Sequence, residues 1–125
     1  MTSKTIAAVA LCLVFECVFV GCTSTSDKGY AVAQIENVSV TVAQGRTLSE
    51  AIMTAAARRR WMPQAQADGT IRCTLSQREH LVVVDVVPGG EQSFSIRLVQ
   101  SNIPVRKYNQ WADNLAREIV VQASR

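Results

Sequence analysis

Hydrophobic residues are distributed unevenly along the chain, and the first fifth of it is almost wholly apolar. The apolar run extends from Ile6 to Val20, follows a single positive charge at Lys4 and is interrupted only by Glu16. Such a run is shorter than the roughly 17–25 residues of a membrane-spanning helix and is typical of the apolar part of a signal peptide. We therefore expect residues 1–21 to direct export and to be removed.

The apolar run ends at a cysteine that follows a glycine. The residues Phe19-Val20-Gly21-Cys22 resemble the lipobox that is read by bacterial lipoprotein signal peptidase, with Gly21 as the small residue before the cut. We expect cleavage before Cys22, acylation of Cys22 and a flexible polar tether over residues 22–29. The alternatives are a plain secretory signal with Cys22 as an incidental thiol, and an uncleaved N-terminal anchor.

Acylation of this cysteine determines the expected location. Lipoproteins that this chain resembles carry several acyl chains on one cysteine, and two or more chains hold a protein stably on a membrane. The mature protein is then a component of the bacterial cell envelope that faces the periplasm. Thr23 stands where an Asp commonly retains enteric lipoproteins in the inner membrane, which favours the outer membrane over the inner.

The pattern after the tether predicts a single domain over residues 30–125. β-Branched residues alternate with polar ones between Asn37 and Val42, which predicts a first strand. The segment Thr47-Leu-Ser-Glu50 is typical of a capping box. It predicts a helix from Leu48 to about Arg60, which Pro63 terminates.

Three alternating runs and one amphipathic segment follow. The runs cover Thr70–Leu75, His80–Val87 and Ser93–Val99. The turn Asp68-Gly69 opens the first run, Ser76–Glu79 connects the first two, and the turn Pro88-Gly89-Gly90 separates the last two, which predicts an antiparallel meander. A last helix is predicted over residues 105–122, with an apolar stripe formed by Tyr108, Trp111, Ala112, Leu115 and Ile119. The order β-α-β-β-β-α predicts an α+β fold with a four-stranded, largely antiparallel sheet and two helices on one face.

The middle run of the meander is apolar on both faces, apart from Asp85. If one set of valines faces the helices, the residues left on the open face are Leu81, Val83 and Val87. An exposed apolar face indicates contact with another molecule. We therefore expect a protein partner or a second copy of the chain to bind there.

Composition excludes several functional classes. The formal net charge of +3 is too small to indicate nucleic-acid binding. Of the four cysteines, Cys12 and Cys17 belong to the signal and Cys22 is expected to be acylated, which leaves Cys73. Cys73 lies with the apolar face of its strand, and is either a buried inert side chain or a reactive or intermolecular thiol. No spacing typical of metal ligands occurs, and we predict no metal, cofactor or catalytic residue.

Several motifs together resemble a family of small, uncharacterised lipoproteins of the proteobacterial envelope. The matching elements are Arg60-Trp61, Gly69-Thr-Ile71, Leu75-Ser-Gln-Arg78-Glu-His80, Phe94-Ser-Ile96, Ser101-Asn102 and Tyr108-Asn-Gln-Trp111-Ala-Asp-Asn-Leu115. The family pattern has a glycine before the tryptophan where this chain has Arg60. The resemblance implies an α+β envelope domain, and it implies no activity.

The resemblance also suggests that some polar residues act together. Arg78 and His80 precede the middle strand of the meander, and Tyr108 and Asn109 open the last helix. We expect these four residues to form a polar cluster that docks the last helix on one end of the sheet.

The expected function is that of a non-enzymatic, membrane-anchored interaction or structural module. The alternative is a small-ligand or lipid-binding periplasmic module with a pocket between sheet and helices, near Trp61 and Trp111. The segment Arg58-Arg59-Arg60-Trp61 is either a membrane-surface or anion-binding patch, or a helix end whose cations complement the helix dipole and whose tryptophan folds back onto the core. An enzyme that uses His80 or Cys73 is the least favoured hypothesis.

Overall fold

Five strands and two helices make up residues 31–125, the part of the chain that the computed structural model describes. The elements in chain order are β1 (Ile35–Ser39), α1 (Leu48–Arg58), β2 (Met62–Ala65), β3 (Ile71–Gln77), β4 (His80–Pro88), β5 (Ser93–Ser101) and α2 (Val105–Ala123). The predicted signal peptide over residues 1–21, Cys22 and the tether over residues 22–29 lie outside the described residues.

The strands form one antiparallel sheet in the order β1-β5-β4-β3-β2. The α+β class and the antiparallel meander are confirmed, but the predicted number of four strands is wrong. The fifth strand is β2, which pairs with β3 from Met62↔Thr74 to Ala65↔Ile71. The sequence pattern does not predict this strand because Pro63 indicates the end of a helix, and because proline has no N–H that could donate a hydrogen bond within a sheet. It is tolerated in β2 because the strand lies at the edge of the sheet.

Strand β1 lies slightly earlier in the chain than the alternation between Asn37 and Val42 predicts. It pairs with β5 at Ile35↔Ile96 and Val38↔Phe94, with an irregularity between the two pairs. Asn37 adopts a positive φ of 50° at this point, and its N–H donates to Ser95 Oγ at 3.0 Å. The bulge turns the strand, so that the pairing ends before Val42.

The N-terminus of α1 has the predicted capping box. Thr47 Oγ1 accepts the Glu50 N–H at 3.2 Å, and Glu50 Oε1 accepts the Thr47 N–H at 3.1 Å. Glu91, in the connection between β4 and β5, accepts the Leu48 N–H at 3.1 Å. Two carboxylates therefore satisfy helix N–H groups and complement the positive end of the helix dipole.

The C-terminus of α1 is a Schellman turn, two residues earlier than predicted. The Trp61 N–H donates to Ala56 O at 2.8 Å, and the Arg60 N–H donates to Ala57 O at 3.0 Å. Arg60 has a φ of 69° at the position where glycine is most common. The turn reverses the chain and places Trp61 in the core, where it is only 4% exposed.

Both helices pack on the same face of the sheet, as predicted. Helix α1 contacts β2, β3 and β4, whereas α2 contacts β1, β5 and α1. Alternate residues of the central strands are buried beneath them, namely Ile71, Cys73, Leu75, Val82, Val84, Val86, Phe94 and Ile96. The predicted stripe of α2 is buried at Tyr108, Ala112, Leu115 and Ile119. Burying each large aliphatic side chain contributes roughly 1.5–3 kcal/mol, so this layer is the main source of stability.

A carboxylate on α2 links the two helices. Glu118 lies 3.3 Å from Arg58 Nε and 3.4 Å from Arg59 Nε. Gln122, which is buried, donates from Nε2 to Glu118 Oε2 at 2.7 Å. The hydrogen bond from Gln122 and the charges of both arginines lower the pKa of Glu118. Among residues 31–125, neither helix is long and apolar enough to cross a membrane.

Candidate functional site

Several chain segments converge at one end of the sheet. The two-residue turn Arg78-Glu79 joins β3 to β4, and β5 ends beside it because Ser101 pairs with Val82. Helix α2 begins shortly after Ser101, and β2 begins opposite Thr74, immediately after α1 has ended. This end of the sheet therefore brings together the end of α1, the β3–β4 turn and the start of α2.

Asn102 fastens these segments to one another. Its Oδ1 accepts the Leu81 N–H at 2.8 Å, and its Nδ2 donates to Glu79 O at 2.8 Å. The Asn102 N–H donates to Leu81 O at 3.1 Å. An asparagine after a strand commonly binds nearby backbone in this way, but the sequence does not show which backbone groups it reaches.

A cleft of about 160 Å³ opens at this end of the sheet. We name it the tryptophan cleft, and it is lined by Arg59, Arg60, Trp61, Leu75, Gln77, Trp111 and Asn114. The sequence placed a ligand pocket near Trp61 and Trp111, and both residues do line one cleft. Its groups are guanidinium, indole, amide and one aliphatic side chain, which bind by charge, stacking and hydrogen bonding.

Trp111 forms the rim of the tryptophan cleft. The ring of His80 meets it edge-on, with centroids 6.4 Å apart and planes at 80°. Lys107 Nζ lies over the indole face, 5.7 Å from the centroid. An ammonium at this distance is attracted by the ring quadrupole, which leaves a positive charge held beside a half-buried aromatic ring.

The same end of the sheet has an excess of positive charge. We name it the basic end, and it carries Arg58, Arg59, Arg60, Arg78, Arg106 and Lys107 against the two carboxylates Glu79 and Glu118. Glu118 is shared by Arg58 and Arg59. Within the described residues, neither Arg60 nor Arg78 takes part in an ion pair, and both side chains are exposed.

The four residues of the predicted polar cluster have different surroundings in the structure. His80 reaches the helix through Trp111. Tyr108 is buried in the core, and burial raises its pKa to about 12. Asn109 Oδ1 accepts the Ala33 N–H at 2.8 Å, and Arg78 lies in the β3–β4 turn with a φ of 58°. The expected role of these four residues in docking α2 on the sheet stays a prediction. The structure adds Trp111 as the residue of α2 that His80 contacts.

The predicted interaction residues Leu81, Val83 and Val87 lie on the outer face of β4 and are half-buried. Asp85 lies between Val83 and Val87, and it accepts two hydrogen bonds from Arg72, at 2.8 and 3.0 Å. Arg97 stands opposite Asp85 in the register between β4 and β5. A charged band therefore crosses the open face and divides its apolar surface, while a partner at this face stays a prediction.

Cys73 is fully buried in β3, as one of the two interpretations predicts. Its solvent exposure is 0%, and its Sγ lies 3.9 Å from Ile71 O. Burial, with a smaller effect from Asp85, raises the pKa of the thiol to about 12. The thiolate that reacts or binds metals is therefore scarce at neutral pH. Within residues 31–125, no three His, Cys, Asp or Glu side chains are grouped to hold a metal ion.

Comparisons of the chain with protein-family models, with curated proteins and with solved structures gave no match. The six motifs quoted from the sequence lie at two ends of the sheet, because Ile71 pairs with Val86 and Phe94 pairs with Pro88, far from the β3–β4 turn. Residues from four of them lie at the basic end or in the tryptophan cleft: Trp61, His80, Asn102 and Trp111. These four residues are distant in sequence and close in the structure, which makes this end of the sheet the best candidate for a functional site.

Proposed function

We propose that this protein is a non-enzymatic lipoprotein of the bacterial envelope, anchored through acylated Cys22, and that its folded domain is a binding module. The observation that carries the proposal is the tryptophan cleft, whose guanidinium, indole and amide groups could bind a ligand by charge, stacking and hydrogen bonding and include no nucleophile. The Cys73 thiol is buried and its pKa is raised to about 12, so that very little of it is present at neutral pH as the thiolate, which is the nucleophilic form.

The N-terminal part of the proposal rests on the sequence. An apolar run, Gly21-Cys22 and a short polar segment precede a domain whose first strand begins at Ile35. A short polar linker is the arrangement expected for a domain that a lipid holds close to a bilayer. The proposed location is the envelope, facing the periplasm, with the outer membrane favoured over the inner.

Membrane fractionation of cells that produce the full chain tests the anchorage. Cys22→Ala should move the protein from the membrane fraction to the soluble fraction or leave an unprocessed precursor, because no acyl chain can be attached. The matched control is Cys73→Ala, which removes a thiol and should leave the protein in the membrane fraction. A processed Cys22→Ala protein that stays membrane-bound through detergent-free washing would contradict the proposal.

The second candidate is a module that binds a small soluble anion in the tryptophan cleft. The specific observation in its favour is that Arg60 lines one cleft together with Trp61 and Trp111, the two tryptophans near which the alternative hypothesis expects a pocket. The volume of about 160 Å³ is below the roughly 300–1,000 Å³ of typical ligand pockets, so it suits a carboxylate or phosphate group rather than a whole lipid. Titration of tryptophan fluorescence with inorganic phosphate and with acetate tests this candidate, and saturable quenching that Arg60→Gly abolishes would support it.

A further inference from the structure

We propose that the basic end docks on anionic lipid headgroups of the same membrane that holds acylated Cys22. This inference rests on the proposed lipid anchorage and adds an orientation to it. The domain then lies on the bilayer with the tryptophan cleft and the start of α2 towards the headgroups, and the opposite end of the sheet towards the periplasm.

The first observation is where the positive charge lies. The whole chain has a formal net charge of only +3, yet the basic end alone has six cationic side chains against two carboxylates. All six cations are exposed, and three of them take part in no ion pair within the described residues: Arg60, Arg78 and Lys107. A basic side chain near an anionic bilayer strengthens binding about fivefold. A few unpaired cations are therefore enough to hold the basic end on the bilayer when a lipid anchor already keeps the protein close to it.

The second observation is where the chain enters the fold. The Ala33 N–H donates to Asn109 Oδ1, which places the entry point beside the second turn of α2, whose start lies at the basic end. From there β1 runs away from this end, because Ile35 pairs with Ile96 and Ser39 pairs with Ser93 at the start of β5. The chain from residue 22 to residue 33 can extend over at most about 40 Å. A lipid on Cys22 therefore allows the basic end to reach the bilayer, and the distribution of charge is what favours this end over the opposite one.

The third observation is the chemistry of the rim. Trp111 is half-buried, and Lys107 Nζ lies 5.7 Å from the centroid of its ring. Tryptophan and lysine are the side chains that favour the membrane interface, where the ring meets the headgroup region and the ammonium meets phosphates. Trp61, by contrast, is buried in the core, so Trp111 is the tryptophan that would meet lipid.

The fourth observation is that two arginines of the basic end have strained backbone conformations. Arg60 and Arg78 have φ angles of 69° and 58°, in the left-handed region that favours glycine. Strained backbone at non-glycine residues is common where a side chain has a function. Here each strained position presents a guanidinium at the basic end, and a guanidinium binds phosphate oxygens in a bidentate manner.

The test uses the mature lipoprotein, purified from membranes and reconstituted into vesicles that contain brominated lipid as a quencher of tryptophan fluorescence. Vesicles of phosphatidylcholine alone are compared with vesicles that also contain phosphatidylglycerol. We expect stronger quenching with phosphatidylglycerol, weakening in 0.5 M salt because salt screens exposed charges. Trp111→Phe should remove most of the lipid-dependent quenching, since Trp61 is buried.

The decisive variant is the pair Arg60→Gly and Arg78→Gly. It removes two cations and relieves backbone strain at both positions, so loss of folding cannot explain a loss of docking. The ratio of docked to undocked protein should fall roughly twenty-fivefold, from about fivefold for each charge. The control pair is Arg97→Gln and Arg125→Gln, which removes the same charge from the outer sheet face and the C-terminus. This pair should retain the quenching.

The outcomes separate the inference from the proposed function. Flotation of the vesicles in a density gradient shows whether the protein is attached to them. Wild-type protein that does not float with either kind of vesicle overturns the proposed anchorage. A protein that floats, but whose quenching is unaffected by phosphatidylglycerol or by the two glycine substitutions, overturns the docking inference and leaves the anchorage intact. Inorganic phosphate that abolishes the effect at constant ionic strength also overturns docking, because the site would then be occupied by a soluble anion.

Discussion

Asn102 and Leu81 exchange two hydrogen bonds, one in each direction. The Asn102 N–H donates to Leu81 O at 3.1 Å, and the Leu81 N–H donates to Asn102 Oδ1 at 2.8 Å. A third bond, from Asn102 Nδ2 to Glu79 O, extends the connection to the β3–β4 turn. One side chain therefore ties the end of β5 to the hairpin on which the basic end is built.

We expect Asn102→Ala to lower the free energy of unfolding by about 1–2 kcal/mol, because it removes two side-chain hydrogen bonds that each contribute roughly 0.5–1.5 kcal/mol. Urea unfolding followed by circular dichroism measures the change. Gln100→Ala is the matched control, since it truncates an exposed amide two residues earlier, in β5, and should have little effect. Equal stability of the two variants would show that Asn102 does not hold the hairpin.

Arg60→Gly is expected to raise the free energy of unfolding by about 0.5–1 kcal/mol, because glycine adopts the positive φ of this position without a Cβ clash. Arg60→Ala serves as the control: it also removes the charge, but it keeps the Cβ and should give no gain. Thermal unfolding of the three proteins side by side measures the difference. A glycine variant no more stable than the alanine variant would mean that the backbone of Arg60 is unstrained.

Glu118 should make stability depend on pH. Its pKa in the folded protein lies below the ordinary value of 4.5, so its contribution is present above that pH and is lost as the pH falls through the folded-state pKa. We expect Glu118→Gln to be less stable at pH 7 by at most about 1 kcal/mol, because its arginine partners are exposed. Urea unfolding at pH 7 and pH 3 should show this difference shrinking in acid. Glu36→Gln is the control, and a Glu118→Gln deficit as large at pH 3 as at pH 7 would refute the charge interaction.

Cys73 should resist alkylation in the folded protein. With a pKa of about 12, roughly one thiol in 10⁴ is ionised at pH 8, and the side chain is also shielded from solvent. Maleimide labelling of the mature protein should be slow in buffer and complete within minutes in 6 M guanidinium chloride. Fast labelling without denaturant would contradict this prediction and support the interpretation of Cys73 as a reactive thiol.

Local sequence patterns predicted most of the fold, because they reflect local physical rules. The capping box of Thr47 and Glu50, the turn at Gly69 and the buried stripe of α2 each follow from a few neighbouring residues. Strand β2 was missed because Met62–Ala65 has no alternation and contains a proline. Only its pairing with β3 makes it a strand, and that pairing depends on residues distant in sequence.

The candidate site was predicted only in part, for the same reason. The tryptophans were expected near one pocket, and they do share a cleft. The partners of the site residues are set by tertiary contacts, which one sequence does not reveal. The contact between His80 and Trp111 is one that the sequence does not predict, and the role of Asn102 emerges only from the geometry of the hairpin.

Mass spectrometry of the mature N-terminus tests the central claim, that this domain is held on a membrane by lipid. The protein should begin at Cys22, and the first peptide should carry the added mass of a diacylglyceryl group, with or without an N-linked acyl chain. A mature protein that begins at another residue, or that begins at an unmodified Cys22, would contradict the account.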